Sequence, residues 1–370
     1  MRILAWMQAY YPVIGGVQTA ARQLFPALRA SGHEVAVVAS HFSIELPDLM
    51  FCDSIPVHRF RFQEALASKN PAALIQEIRR AAKFMTEFAP DIVHLMGFEP
   101  GTFFFLRARK SYPVPFLLTI HSEIYAYLSK THGTALLKQA VTEASWITTV
   151  TALEAKRVAA LLPEAAGKVS CVYQGLEQPQ VEAEPLPSAP RLLCIGRLAP
   201  EKNFELAVRA FAALAPDFPH ARLVFAGDGT ERPMLEQLVT DLGIGNQVDF
   251  LGWVPPEQIY SVMNQASAVV LPSHTEGLPL VGVEAAQMAR PLIATNVSGV
   301  PELVVDGVTG LLTPPGDVDA MAAAMRVVLS DRARTEQMGQ AARARAAEIF
   351  SLTRMVNGFS ALYERIVTNA

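Results

Sequence analysis

Two glutamates eight positions apart, Glu276 and Glu284, stand in the otherwise apolar stretch HTEGLPLVGVEAA (274–286). A carboxylate there can accept hydrogen bonds from the hydroxyl groups of a ligand; the alternative is an ordinary solvated charge near a helix start. On a single helix, residues eight apart point about 80° away from each other. The spacing is therefore easier to explain if Glu276 lies in a loop and Glu284 on the helix that follows.

The flanking residues predict this arrangement. SAVVLPS (267–273) is an apolar run typical of a buried strand, and the Gly and Pro of HTEGLP are loop signals. LVGVEAAQMA has helical character and ends before Pro291. We therefore expect Glu276 at the carboxyl end of a strand, which is the edge where open α/β sheets bind ligands.

Two further loops are candidates for the same edge. IGRLAPEKN (195–203) joins a strand to a helix. It places Arg197 and Lys202 near a helix N-terminus that favours anions, although two solvated loop cations are the alternative. AGDGT (226–230) follows the next strand, and Gly227 there allows either close backbone approach to a ligand or a tight turn.

Strand and helix patterns alternate along all 370 residues. The strand-like runs are RILAWM, EVAVVAS, DIVHLMG, PFLLTIH, SWITTVT and KVSCVY, then RLLCIGRL, ARLVFAG, QVDFLGW, SAVVLPS and PLIATN. This alternation predicts an α/β protein with parallel sheets and helices on both faces.

The Pro- and Glu-rich segment 175–190 is interpreted as a linker between two Rossmann-like domains, 1–175 and 176–350. A cleft between two domains is a favoured ligand site. The last segment, 351–370, contains an amphipathic pattern at 355–367 and is expected to pack back on the first domain.

Composition narrows the class of protein. Three widely spaced cysteines are typical of buried thiols in a reducing compartment. The N-terminus lacks signal-peptide features and no apolar run is long enough to span a membrane, so a cytoplasmic protein is expected.

Residues 1–175 carry 17 Lys+Arg against 13 Asp+Glu, and the remainder carries 14 against 22. The basic half allows peripheral contact with an anionic membrane, or is ordinary charge scatter; nucleic acid is disfavoured as a partner.

Together these motifs resemble the retaining glycosyltransferases of family 4, which have the GT-B fold. The resemblance covers nearly the whole chain and is most specific in the second half. The residues that carry it are Gly15-Gly16-Val17, Gly196-Arg197, Glu201-Lys202-Asn203, Gly227-Asp228-Gly229, Glu276 with Glu284, and SGVPELVVDGVTGLLTPPGD (298–317).

The resemblance implies a role for each matching residue. Arg197 and Lys202 would bind the diphosphate of a nucleotide-sugar donor and stabilise the departing nucleotide. Glu284 would bind the ribose diol, and Glu276 would contact hydroxyls of the donor sugar. The donor-binding set is completed by residues whose backbone would approach phosphate or sugar: Gly16, Gly227, Gly277, Leu278, Pro279 and Leu280. The first half would bind the acceptor.

Two histidines end strands of the first half. His121 ends PFLLTIH and resembles the active-site histidine of the family, which would hydrogen-bond the donor sugar; a satisfied loop histidine is the alternative. His94 ends DIVHLMG and is expected to be structural, although it would also fit the acceptor side.

Three features bear on the donor and on metals. Leu278-Pro279 stands where the family often has an aromatic-Gly pair, and the proline removes one backbone donor. Ser298-Gly299 stands where two glycines are common. Asp317-Val318-Asp319 matches the DxD pattern of metal-dependent transferases but precedes a helix, so an N-cap is expected there. With two cations available to neutralise phosphate, no metal or other cofactor is expected.

The implied reaction moves a hexose-type sugar, with retained configuration, to a hydroxyl of a glycan, lipid-linked or small-molecule acceptor. UDP-sugars are the favoured donors, followed by GDP-mannose. In the route ascribed to this family the leaving phosphate accepts the acceptor's proton, so no carboxylate base is required. A nucleotide-sugar epimerase or isomerase on the same fold is the main alternative, and a non-catalytic nucleotide-binding module is another. A dehydrogenase is disfavoured because the glycines do not form G-x-G-x-x-G.

Overall fold

The computed structural model describes residues 1–41, 46–98, 100–121, 124 and 134–369. The chain divides into two compact units, unit 1 (Met1–Gly175 with Leu352–Ala370) and unit 2 (Leu176–Ser351). Each unit has its own sheet and its own hydrophobic core.

The strands are β1 (Arg2–Trp6), β2 (Glu34–Ser40), β3 (Leu49–Cys52), β4 (Ile55–Phe60), β5 (Ile92–Met96), β6 (Phe116–Ile120), β7 (Trp146–Thr149), β8 (Val169–Cys171), β9 (Arg191–Ile195), β10 (Arg222–Ala226), β11 (Val248–Gly252), β12 (Ala268–Leu271), β13 (Leu292–Thr295) and β14 (Gly310–Thr313). The helices in the described residues are α1 (Gly16–Ala30), α2 (Phe62–Ala67), α3 (Pro71–Phe88), α4 (Pro100–Ala108), α5 (Thr134–Glu143), α6 (Ala152–Leu161), α7 (Phe204–Ala212), α8 (Arg232–Asp241), α9 (Ile259–Asn264), α10 (Leu280–Gln287), α11 (Val300–Leu303), α12 (Val318–Ser330), α13 (Arg332–Ile349) and α14 (Leu352–Thr368). None of these helices is long and apolar enough to cross a membrane.

Unit 1 is built on an eight-stranded sheet in the order β3-β4-β2-β1-β5-β6-β7-β8. Neighbouring strands run parallel, except that β3 and β4 form an antiparallel pair at one edge. The inner strands are continuous apolar runs because helices cover both of their faces. This is the parallel α/β architecture predicted from the sequence.

The C-terminal helix α14 is part of the core of unit 1. The Tyr363 hydroxyl lies 2.7 Å from Nδ1 of His94, and Nε2 of His94 lies 2.6 Å from the Thr119 hydroxyl. His94 is fully buried, and burial lowers its pKa to about 3. Both ring nitrogens therefore serve to attach α14 to strands β5 and β6, which fits the structural role expected for His94.

Unit 2 has a six-stranded parallel sheet in the order β11-β10-β9-β12-β13-β14. The first strand, β9, has β10 on one side and β12 on the other, so the direction of winding reverses between β9 and β12. Helix α10 packs closely on this sheet: a Cβ on Gly282 would meet the side chain of Leu292 in β13 at 2.9 Å. The chain thus brings the carboxyl ends of β9 and β12 side by side.

Three observed strands, β3, β4 and β14, lie outside the set predicted from the sequence. β3 and β14 are only four residues long, which gives little pattern to recognise. β4 contains Pro56, a residue that is disfavoured inside strands and is tolerated near their starts.

The Pro-rich segment 175–190 is held closely against unit 2. The Arg290 guanidinium, which is almost fully buried, donates to the Glu184 carbonyl at 2.9 Å. Arg332 donates to the carbonyls of Leu186 and Pro187 at 2.6 and 2.8 Å. An extended segment without ladder partners has free carbonyls, and arginine side chains satisfy them here. The segment 175–190 therefore does more than connect the two units, because it is also bonded to unit 2.

Candidate functional site

Three loops of unit 2 meet at the carboxyl edge of its sheet. Loops 196–203 and 272–279 leave the adjacent strands β9 and β12, at the point where open α/β sheets bind ligands. The His274 N–H donates to the Glu201 carbonyl at 2.9 Å, which joins these two loops. The Leu198 N–H donates to the Asp228 carbonyl at 2.9 Å, which adds the turn after β10. The predicted convergence of the three loops is confirmed.

Lys202 and Glu276 form the centre of this edge. Nζ of Lys202 lies 2.7 Å from Oε1 of Glu276, and the Ser273 hydroxyl donates to the same oxygen at 2.7 Å. The two charged side chains are only 23% and 9% exposed. Within the described residues, the other carboxylate oxygen and the remaining ammonium hydrogens have no partner. Both groups therefore keep hydrogen-bonding capacity for a ligand.

Arg197 lies on the same loop but not in the same cluster. Its side chain is 74% exposed, and Nη2 lies 2.6 Å from Oε1 of Glu201. An exposed ion pair of this kind contributes little to stability and is readily exchanged for another anion. The structure thus joins Lys202 to Glu276 and leaves Arg197 paired locally.

Glu284 lies in the second turn of α10, and Glu276 lies in the loop before that helix, which confirms the predicted division between loop and helix. Burial raises the pKa of Glu284 to about 7. No side chain in the described part of the chain donates a hydrogen bond to it. Burial raises the pKa of Tyr260, and the charge of Glu284 adds to that shift, which places the two side chains near each other. A half-buried carboxylate without a donor can accept hydroxyl groups of a ligand.

The segment Gly277, Leu278, Pro279 and Leu280 leads into α10. Leu278 and Leu280 are buried, so their side chains anchor the segment. The N–H groups at the start of a helix have no partner within the helix, and Pro279 precedes the first helical residue without an N–H to offer. The backbone at Gly277, Leu278 and Leu280 is thus the part of this segment that can donate to a ligand.

Gly227 and Gly229 are required by the packing of one loop on another. Both have positive φ, and a Cβ on Gly227 would lie 1.9 Å from the Gly196 carbonyl oxygen. A Cβ on Gly229 would lie 2.3 Å from the Leu198 carbonyl oxygen. The absence of a side chain at Gly227 thus allows the neighbouring loop to pack closely against it. Contact between Gly227 and a donor stays a prediction.

Ser298, which stands where the family commonly has glycine, adopts a backbone conformation that glycine favours. Its φ is +47°, in the left-handed region that favours glycine. The family commonly has glycine at the matching position, where this conformation is free of strain. The Ser298 hydroxyl lies 3.4 Å from that of Thr275, so the serine adds a contact to the loop that carries Glu276.

His121 directly follows β6 in unit 1 and is half-buried. The side-chain nitrogen of Gln174 lies 3.1 Å from its Nδ1. Its other ring nitrogen, Nε2, is buried and has no hydrogen-bond partner within the described residues. Burial lowers the pKa of His121 to about 4. The imidazole is therefore neutral at physiological pH and has one polar atom available.

Gly16 is exposed and is the first residue of α1. The preceding residue, Gly15, is extended and forms the N-cap without a side-chain hydrogen bond. The contact of this helix start with a donor or acceptor stays a prediction.

Ser273 and Gln174 complete the two sites and were not predicted from the sequence. Ser273 ends the apolar run SAVVLPS, and a hydroxyl at the binding edge of a strand is a usable signal. Gln174 stands 53 positions from His121, and nothing in its local sequence indicates an imidazole partner.

Asp317 caps helix α12, as predicted. Its carboxylate accepts a hydrogen bond from the Ala320 N–H at 2.9 Å. The DxD-like stretch is thus accounted for by helix capping.

Several basic residues of unit 1 form ion pairs with nearby carboxylates. Arg80 contacts Asp48 and lies 3.7 Å from Glu77. Lys83 lies 3.6 Å from Glu87 on the same helix, and Arg109 lies 2.9 Å from Glu143. These carboxylates are already among the 13 Asp+Glu of residues 1–175, so the net positive charge of this half is unchanged and peripheral membrane contact stays a prediction.

Two family models together match most of the chain. Residues 14–178 match the family described as Glycosyltransferase Family 4, and residues 179–345 match Glycosyl transferases group 1. The chain is 28% identical to a glycogen synthase of Mycobacterium tuberculosis, over 98% of this chain and 94% of that protein. It is also 28% identical to a 2-deoxystreptamine glucosyltransferase of Streptomyces kanamyceticus, over 84% and 87%.

Solved structures share the fold over its full length. A sucrose-phosphate synthase from Thermosynechococcus elongatus superposes with a TM-score of 0.85 at 22% identity, covering 100% of both chains. The Anabaena protein HepE, solved in complex with UDP-glucose, superposes with a TM-score of 0.80 at 20% identity, covering 99% of this chain and 100% of that one. At these identities the likeness establishes the fold.

Proposed function

Because this chain belongs to the GT-B glycosyltransferases that join a family 4 domain to a group 1 domain, we propose that it moves a hexose-type sugar from a nucleotide-sugar to a hydroxyl acceptor. Unit 2 binds the donor and unit 1 binds the acceptor in this proposal. The observation that carries it is the set of Lys202, Glu276 and Glu284 at the switch point of the unit 2 sheet.

Lys202 and Arg197 bind the donor diphosphate. The ammonium group keeps donors beyond its bond to Glu276, and the guanidinium can exchange its exposed pairing with Glu201 for phosphate oxygens. Both cations then stabilise the negative charge that develops on the leaving nucleoside diphosphate. Backbone N–H groups of Gly277, Leu278 and Leu280 add donors for phosphate or sugar.

The two glutamates bind hydroxyl groups. Glu284 lacks a donor in the described structure, and a ribose diol offers two. Glu276 has one carboxylate oxygen free to accept a hydroxyl of the donor sugar, while Lys202 and Ser273 hold the other. Each carboxylate thus has a separate part of the donor to recognise.

A UDP-sugar is the proposed donor, with GDP-mannose the second choice. The support for UDP is indirect: HepE was solved with UDP and with UDP-glucose. Another relative, a mannosyltransferase of Mycolicibacterium smegmatis that is 32% identical over 42% of this chain, is described as GDP-mannose-dependent.

The reaction is proposed to retain the anomeric configuration and to need no metal. The bond between C1 and the phosphate oxygen breaks, the bond between C1 and the acceptor oxygen forms, and the acceptor's proton passes to the leaving phosphate. Arg197 and Lys202 supply the positive charge, and His121 donates a hydrogen bond to a substrate oxygen. Alignment of the reactants accounts for the rest of the rate.

The test compares two arginines that make the same kind of ion pair. Arg197→Ala removes a proposed phosphate ligand, whereas Arg209→Ala removes the equivalent surface pair with Glu205, 2.7 Å long, on α7. We expect Arg197→Ala to lower kcat/KM for sugar transfer from UDP-glucose or GDP-mannose by about a hundredfold and Arg209→Ala to leave it near the wild-type value. Equal activity of the two variants would contradict the assigned role.

Stereochemistry and acceptor dependence test the reaction class. Proton NMR of the first-formed product should show the anomeric configuration of the donor. An inverted product would contradict the proposed route. Conversion of the nucleotide-sugar to an isomer in the absence of any acceptor would favour an epimerase instead.

A further inference from the structure

Gln174 stands in a position to control the chemistry of His121. We propose that Gln174 is a positioning residue that fixes the tautomer of His121, so that Nε2 carries the proton and donates a hydrogen bond to a substrate oxygen. The tautomer is a property of the protein itself, whereas the identity of the oxygen rests on the proposed function.

The geometry determines which ring nitrogen carries the proton. The amide nitrogen of Gln174 has hydrogens and no lone pair to offer, and it lies 3.1 Å from Nδ1 of His121. Nδ1 must therefore accept the hydrogen bond. A neutral imidazole has a single N–H, which is then at Nε2.

The surroundings keep the ring neutral. Gln174 is 7% exposed and brings no charge to the pair. Burial is the cause of the lowered pKa of His121, and the neighbouring His94 is itself buried and bonded to Tyr363 and Thr119. No carboxylate in the described part of the chain contacts His121. A neutral partner selects between tautomers without favouring the imidazolium.

The remaining polar atom of the His121 ring, Nε2, is therefore a hydrogen-bond donor. Nε2 of His121 is buried without a partner among the described residues, and a buried donor without a partner destabilises the ligand-free protein. His121 follows directly on β6, at the carboxyl edge of the unit 1 sheet. A hydroxyl or other lone-pair oxygen of a substrate would satisfy this N–H.

The tautomer restricts what His121 can do. An Nε2 that already carries a proton cannot remove one from an acceptor hydroxyl. His121 is thereby assigned to hydrogen-bond donation, and the acceptor's proton must go elsewhere. This fits a reaction in which the leaving phosphate takes that proton.

Gln174 is itself held in place by its neighbour. The Gly175 N–H lies 3.4 Å from the sulfur of Met355, on the C-terminal helix α14. The backbone that carries the Gln174 side chain is thus attached to the core of unit 1. A small displacement here would separate the amide from the ring.

The test reads the tautomer directly. Two-bond ¹H–¹⁵N correlations of histidine-labelled full-length protein distinguish Nε2–H from Nδ1–H, and His121→Asn identifies the signal. We expect the Nε2–H tautomer in the wild type. In Gln174→Glu the new carboxylate should accept from Nδ1–H, which converts His121 to the Nδ1–H tautomer or to the imidazolium. Gln174→Met should leave a mixture of tautomers.

Kinetics provide the second readout. Gln174→Met and Gln174→Glu should lower kcat by about a hundredfold with little change in donor KM, and Gln174→Asn should recover part of the loss if its amide reaches the ring. Gln247→Met is the matched control, because the side-chain amide of Gln247 donates to the carbonyls of Phe218 and Ala221, away from the proposed site; its kcat should match the wild type.

Two results would overturn the inference. One is an Nδ1–H tautomer in the wild type, which would mean that the Gln174 amide presents its oxygen to the ring. The other is an unchanged Nε2–H tautomer in Gln174→Glu. Both are read from the spectrum in the absence of substrate, so they remain distinct from a failure to detect sugar transfer.

Discussion

Replacing Glu284 by Gln should make the ligand-free protein more stable above neutral pH. Burial raises the pKa of this carboxyl from 4.5 to about 7, a shift of about 2.5 units. At about 1.36 kcal/mol per unit, the charged form destabilises the folded state by up to about 3 kcal/mol. Glutamine has nearly the same shape and no charge, so it removes this penalty.

The sign of the effect follows from proton binding. Between pH 4.5 and about 7 the folded protein holds a proton on Glu284 that the unfolded chain has released. The contribution of this group is therefore fully present below pH 4.5 and is lost as pH rises through 7. Glu284→Gln should match the wild type in acid and exceed it at pH 8.

The assay is urea unfolding of nucleotide-free protein at pH 5 and pH 8, followed by circular dichroism. We expect the variant to gain about 1–3 kcal/mol over the wild type at pH 8 and much less at pH 5. Glu205→Gln, which alters an exposed carboxylate on α7, should show no such dependence. A variant that is less stable than the wild type at both pH values would refute the reasoning.

Three further substitutions test the contacts of unit 2. Lys202→Met should lower the free energy of unfolding by about 1–3 kcal/mol, because it leaves Glu276 with only a hydroxyl donor, and should also abolish turnover; an unfolding curve that matches the wild type would contradict the pairing. Gly227→Ala should destabilise by about 3 kcal/mol or more, whereas Gly245→Ala, where a Cβ meets nothing within 4 Å, should be nearly neutral; equal unfolding midpoints would show that the loops do not approach as described. Asp317→Ala should lower the free energy of unfolding by about 1 kcal/mol through the lost cap while leaving kcat/KM and its response to Mg²⁺ unchanged; a loss of metal-dependent activity would indicate a metal ligand instead.

The position of a residue could be predicted from the sequence where neighbouring residues alone determine the local structure. Glu276 and Glu284 were placed correctly because an apolar strand, a Gly-Pro loop and an apolar helix follow one another within about twenty residues. The cap at Asp317 was equally local.

Contacts between distant segments could not be predicted in the same way. Lys202 and Glu276 are 74 positions apart, and their ion pair depends on β9 and β12 being neighbours in the sheet. Arg197 and Lys202 lie five positions apart on one loop, yet one turns to Glu201 and the other to Glu276. Which carboxylate each of these two cations contacts depends on the tertiary structure. The same holds for Gln174, which follows β8, because its partner His121 follows β6, two places away in the sheet.

The most direct test of the central claim is a thermal-shift panel of UDP, GDP, ADP, CMP and NAD, each with and without Mg²⁺. If unit 2 binds the nucleotide of a sugar donor through Lys202 and Glu284, one nucleoside diphosphate should stabilise the protein selectively and without metal. At 100 times its dissociation constant the gain is about 2.7 kcal/mol. A shift with NAD alone, or none with any of the five, would contradict the proposed donor site.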